Sequence, residues 1–116
     1  MTRRLVTTAA ACATLALPAT AAAHTGIKSR SPGPGATVSR ALSVVKVNFE
    51  GRVSDATLTV KRSATKVNRG NGTLANRKRQ VRARLSSSRS GRYRATVRWL
   101  SRDGHVLTKS WSFRVR

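Results

Sequence analysis

Tyr93-Arg94-Ala95-Thr96-Val97-Arg98-Trp99 and the turn Ser101-Arg102-Asp103-Gly104-His105 just beyond it decide how this chain folds. Tyr93, Ala95, Val97 and Trp99 alternate with Arg94, Thr96 and Arg98, a period of two that predicts a strand with one buried and one solvated face. After the turn, Trp111, Phe113 and Val115 alternate with Ser112 and Arg114. Two such runs joined by a tight turn predict an antiparallel hairpin. Asp103-Gly104 is a favoured two-residue turn, because both residues tolerate positive φ. Trp99, Trp111 and Phe113 are expected to form most of the aromatic core.

The same alternation continues toward the N-terminus. Val81, Ala83 and Leu85 alternate with Arg82 and Arg84, Leu58 and Val60 with Thr57, Thr59 and Lys61, and Val45, Val47 and Phe49 with Lys46 and Asn48. Ser31-Pro32-Gly33-Pro34-Gly35 reads as a turn and Ser86 to Gly91 as a loop. Between Ser63 and Arg79 the pattern is weak, with Asn71-Gly72 as a tight turn. No segment after residue 23 keeps a helical period. Roughly six to eight short strands predict an all-β domain, a small antiparallel β-sandwich or barrel.

The first residues have a different character. Thr2-Arg3-Arg4 is basic, Leu5 to Leu17 is a short apolar run, and Ala21-Ala22-Ala23 supplies small residues in an A-x-A pattern. That order predicts a secretory signal peptide over residues 1–23, too short to span a bilayer, which takes about 20 apolar residues. Cleavage after Ala23 makes His24 the first residue of an exported domain, 24–116, and gives it a free α-amine. Cys12 and Met1 leave with the leader, so the exported domain has no disulfide and no soft sulfur ligand of the kind that selects Cu(I).

The 24 Lys+Arg fall to 22 once Arg3 and Arg4 are gone, against three acidic side chains, a formal +19. Such a surface attracts polyanions: cell-wall polymer, nucleic acid or anionic lipid. The cations Arg92, Arg94 and Arg98 are nevertheless interleaved with core residues. That pattern reads as a solvated strand face, not a groove-reading motif, and predicts non-specific polyanion contact with no specific nucleic acid. Two His, two Asp and one Glu, without a G-x-S-x-G elbow or paired carboxylates, argue against an enzyme.

The C-terminal hairpin resembles that of the CopC/PcoC copper-resistance proteins, which runs roughly G-x-Y-x-V-x-W-x-x-x-S-x-D-G-H and ends Phe-x-Phe-x-Val. The matching residues are Gly91, Tyr93, Val97, Trp99, Ser101, Asp103-Gly104-His105, and Trp111, Phe113 and Val115, with the tryptophan two positions later than usual. The N-terminal half is similar too, through His24, Ile27, Ser29, Pro32, Gly35-Ala36 and Val45 to Phe49. The resemblance implies a Greek-key β-barrel related to immunoglobulin-like sandwiches. It implies an exported, periplasmic or extracellular monomer that holds Cu(II) through His24, Asp103 and His105 for copper tolerance or homeostasis. A membrane copper-transport protein becomes a candidate exchange partner. Where the family often has a further acidic residue this chain has Gly51; Glu50, one position earlier, points to the other strand face and is not counted.

The chemistry of that set suits the metal. An N-terminal His offers its α-amine and imidazole as one chelate, and His105 and Asp103 complete an N,N,N,O set that matches the tetragonal preference of Cu(II). Asp103 could instead orient an imidazole by accepting its N–H. The competing expectation is a copper-silent sandwich of the same ancestry whose basic surface binds anionic polymers.

Overall fold

A computed structural model describes residues 24–116; the expected leader, 1–23, lies outside the described residues. Nine strands follow one another: β1 (Ile27–Ser31), β2 (Thr37–Val38), β3 (Val44–Phe49), β4 (Asp55–Arg62), β5 (Thr65–Lys66), β6 (Thr73–Ala75), β7 (Gln80–Arg84), β8 (Gly91–Leu100) and β9 (Val106–Val115). They form two sheets, a four-stranded one in the order β1-β3-β7-β6 and a five-stranded one in the order β2-β9-β8-β4-β5. All pairings are antiparallel except β2 with β9, which run parallel over Thr37–Val38 and Arg114–Val115. The all-β sandwich expected from the alternation is what forms.

The predicted faces hold. Val45, Val47, Leu58, Val60, Val81, Ala83, Tyr93, Val97, Trp99, Trp111 and Phe113 all lie in one buried cluster between the sheets. In β3, β4, β7, β8 and the second half of β9 alternation places every second side chain in that cluster, and the intervening Arg, Lys and Thr outside it. Tyr93 stacks on Phe113, with ring centroids 5.3 Å apart, and its hydroxyl donates to the Arg89 carbonyl at 2.7 Å. This is the tyrosine corner of immunoglobulin-like sandwiches, which anchors the entry into a strand.

Both indoles sit in the core, and each also uses its N–H. Trp99 Nε1 donates to the Thr25 carbonyl at 2.8 Å and Trp111 Nε1 to the Pro32 carbonyl at 2.9 Å. Residues 25 and 32 flank β1, so two side chains of the β8–β9 hairpin fasten both ends of a strand in the opposite sheet.

Three details depart from the sequence expectation. β2 and β5 are two-residue pieces, too short to show a period, so the strand count exceeds eight. The weak stretch holds β6, entered through Gly72 at φ 94°, where an added Cβ would lie 3.1 Å from the Leu58 backbone nitrogen. The Asp-Gly turn is a three-residue loop, not a two-residue one. Gly104 N–H donates to the Ser101 carbonyl and Ser101 N–H to the His105 carbonyl, at 2.9 and 2.8 Å. Only Gly104 takes positive φ, 94°, as in a type I turn closed by a bulge glycine.

Candidate metal centre

The β8–β9 hairpin carries two of the three expected ligands past the end of its sheet. Leu100 pairs with Val106, and Arg102–Gly104 close the loop between them. Within the loop, Asp103 Oδ1 accepts the His105 backbone N–H at 3.1 Å, which turns the carboxylate back toward the His105 ring. The other oxygen, Oδ2, lies 2.9 Å from His105 Nδ1.

The third residue arrives from the far end of the sequence. Thr25 N–H donates to Ser101 Oγ at 3.0 Å, while the Thr25 carbonyl takes the Trp99 N–H. These two bonds lay the chain start along the base of the hairpin loop and put His24 over Asp103. His24 Nδ1 is 3.0 Å from the same Oδ2 that meets His105. The two imidazoles stand edge to face, with centroids 4.6 Å apart. One donor atom each from His24, Asp103 and His105 falls within 4.8 Å of the others. Among the described residues these three form the metal-capable cluster, and Glu50 is not in it.

Ser101 belongs to the hairpin pattern, but nothing in the sequence pattern assigns it a role. It is 1% exposed. Its hydroxyl accepts from Thr25 and also hydrogen-bonds the Asp103 carboxylate, so one buried side chain ties the chain start to the loop. A small hydroxyl residue at a buried position just past the end of β8 is the available signal. Its partner, Thr25, has no local pattern.

Electrostatics keep the carboxylate charged. Partial burial pushes the Asp103 carboxyl up, but hydrogen bonds from the His105 side chain, the His105 N–H and Ser101 outweigh it. The result is about 2, below the ordinary 3.8. The site is an open rim, not a cavity: the His24 and His105 side chains are 45% and 67% exposed, Asp103 21%.

A small β-sandwich that presents two imidazoles and a carboxylate at one end defines a class of domain. This chain belongs to the CopC domain family, whose sequence profile matches residues 27–116. Among solved structures it is similar to CopC from Methylosinus trichosporium OB3b, with 23% identity and a TM-score of 0.67 over 79% of this chain and 93% of that one. It is also similar to PcoC, a methionine rich copper resistance protein from Escherichia coli, with 22% identity and a TM-score of 0.66 over 81% of this chain and 100% of that one. At these identities the likeness establishes the fold. No curated protein matches the chain by sequence.

Proposed function

We propose that this chain is an exported Cu(II)-binding protein that buffers or carries copper for tolerance or homeostasis, with His24, Asp103 and His105 as its ligands. The observation that carries the reading is the convergence of both Nδ1 atoms on one carboxylate oxygen, at 3.0 and 2.9 Å. These are hydrogen-bond distances, and they hold the three donor atoms close enough together for one ion to reach all of them.

Donor chemistry selects the ion. Nitrogen and carboxylate oxygen suit Cu(II), which tops the divalent affinity order. Cu(I) calls for sulfur, and the only Cys and Met are Cys12 and Met1. Signal cleavage after Ala23 would free the His24 α-amine as a further nitrogen beside its imidazole. Exposure of both imidazoles leaves the ion open to a second set of ligands, which is what a carrier needs for exchange. The donors must be deprotonated, so affinity falls in acid.

Titration of residues 24–116 with Cu(II) at neutral pH, followed by electron spin resonance, tests the reading. One equivalent bound with a tetragonal, nitrogen-rich spectrum is expected. His105→Ala, or one extra residue before His24, should abolish that spectrum. Asp103→Asn should change both affinity and spectral parameters; an unchanged spectrum would assign Asp103 to ring orientation alone. No copper uptake by the intact domain at neutral pH sinks the proposal.

A further inference from the structure

The three acidic residues of the chain collect at the metal-site end. Glu50 N–H bonds the Gly26 carbonyl, Asp55 pairs with Leu100, and Asp103 is in the loop itself. Asp55 lies at one end of the outer face of the five-stranded sheet, and the rest of that face carries cations and no carboxylate. Lys61, Lys66, Arg92, Arg94, Arg98 and Arg114 all point outward there.

The register sets like charges opposite one another. Lys61 is paired with Lys66 on one side and Arg94 on the other, and Arg92 faces Arg114. Like charges directly opposite are destabilising. Among the described residues no Lys or Arg forms an ion pair, and the side chains of Arg92, Arg94, Arg98 and Arg114 make no hydrogen bond. Between the cations stand Thr57, Thr96, Ser110 and Ser112, short hydroxyl side chains that leave the face level.

We propose that this face is a docking surface for an anionic lipid bilayer, held by phosphate headgroups. The cations form a two-dimensional array, about 4.8 Å apart between strands and about 6.8 Å apart between alternate residues of one strand. A plane of headgroups meets the whole array, whereas a linear polymer follows one row. The face has no aromatic side chain on which nucleic-acid bases could stack. The one large apolar side chain exposed on the described surface is Val106, at the metal-site end. Contact is therefore electrostatic, at headgroup level, without insertion. Lying on this face, the protein keeps the His24–Asp103–His105 loop at the rim of the contact, open along the membrane. This inference is independent of the copper reading and can stand if that one fails.

The test is co-sedimentation of residues 24–116, the whole described fold, with vesicles at low salt. Binding is expected to phosphatidylcholine vesicles containing phosphatidylglycerol and not to phosphatidylcholine alone. Lys61→Gln with Arg92→Gln and Arg94→Gln should weaken partitioning by on the order of a hundredfold. Lys46→Gln with Arg82→Gln and Arg84→Gln removes the same charge from the opposite sheet and should cost less than about tenfold. On the unsubstituted chain, vesicles should protect Lys61 and Lys66 from acetylation and leave Lys46 reactive, which reads the face without any variant. Equal losses in the two triple variants, equal protection of all three lysines, or no binding to the anionic vesicles overturns the proposal. Retention by linear polyphosphate with none by vesicles overturns it in favour of a polymer.

Discussion

At the scale of single residues, Asp103 holds the candidate site together without a metal. Its Oδ2 gathers both imidazoles and its Oδ1 takes the His105 N–H. Because the folded chain stabilises the charged form, its carboxyl falls from 3.8 to about 2. A depressed carboxyl contributes stability that is fully present above the unfolded value and is lost as pH falls through the folded one. In the metal-free protein the loop contribution of Asp103 should thus be complete above pH 3.8 and vanish as the pH approaches about 2. Carbon NMR titration of the side-chain carboxyl checks this. A midpoint near 3.8 would contradict the hydrogen-bonded loop, and Ser101→Ala should move the midpoint upward.

At the scale of elements, the β8–β9 hairpin is the organiser of the sandwich. It pairs along its length from Gly91–Val115 to Leu100–Val106 and sends an indole N–H to each side of β1. Trp99→Phe keeps an aromatic side chain in the core but removes the bond to the Thr25 carbonyl. The expected cost is about 2–3 kcal/mol in urea unfolding, about 1 for the hydrogen bond and the rest for the space left by the smaller ring. A larger effect should appear in amide exchange: Thr25 and Glu50, whose N–H groups bond Ser101 Oγ and the Gly26 carbonyl, lose protection while β3 and β7 keep theirs. Uniform loss of protection would mean that Trp99 acts as core filling alone. The alternation of Tyr93 to Trp99 was enough to place the indole inward. That its N–H would reach residue 25 was not legible, because the partner is a backbone carbonyl with no side-chain signature.

At the scale of the whole molecule, charge opposes compactness. Residues 24–116 carry a formal +19, and the carboxylates that offset it are gathered at one end. Net charge this far from zero destabilises the folded state by self-repulsion, and salt screens it over a Debye length of about 10 Å at 0.1 M. The melting temperature of the metal-free domain should therefore rise steadily as sodium chloride is added from low ionic strength. A flat or falling curve would show that the cations are too widely spaced to repel appreciably.

What the sequence determined by itself is local. Alternation named the strands and their buried faces, because a period of two needs only neighbouring residues to be read. Rarity singled out His24, Asp103 and His105, and the family resemblance linked them. The tertiary structure alone decided what depends on distant segments meeting. It ordered the strands so that the chain start lies against the β8–β9 loop, brought both imidazoles to one carboxylate oxygen, and gave Ser101 two partners. It also set Lys61 beside Arg94 and Arg92 beside Arg114 with no carboxylate between them. Register and sheet order arise from which faces can be buried together, and no stretch of the chain carries that information alone.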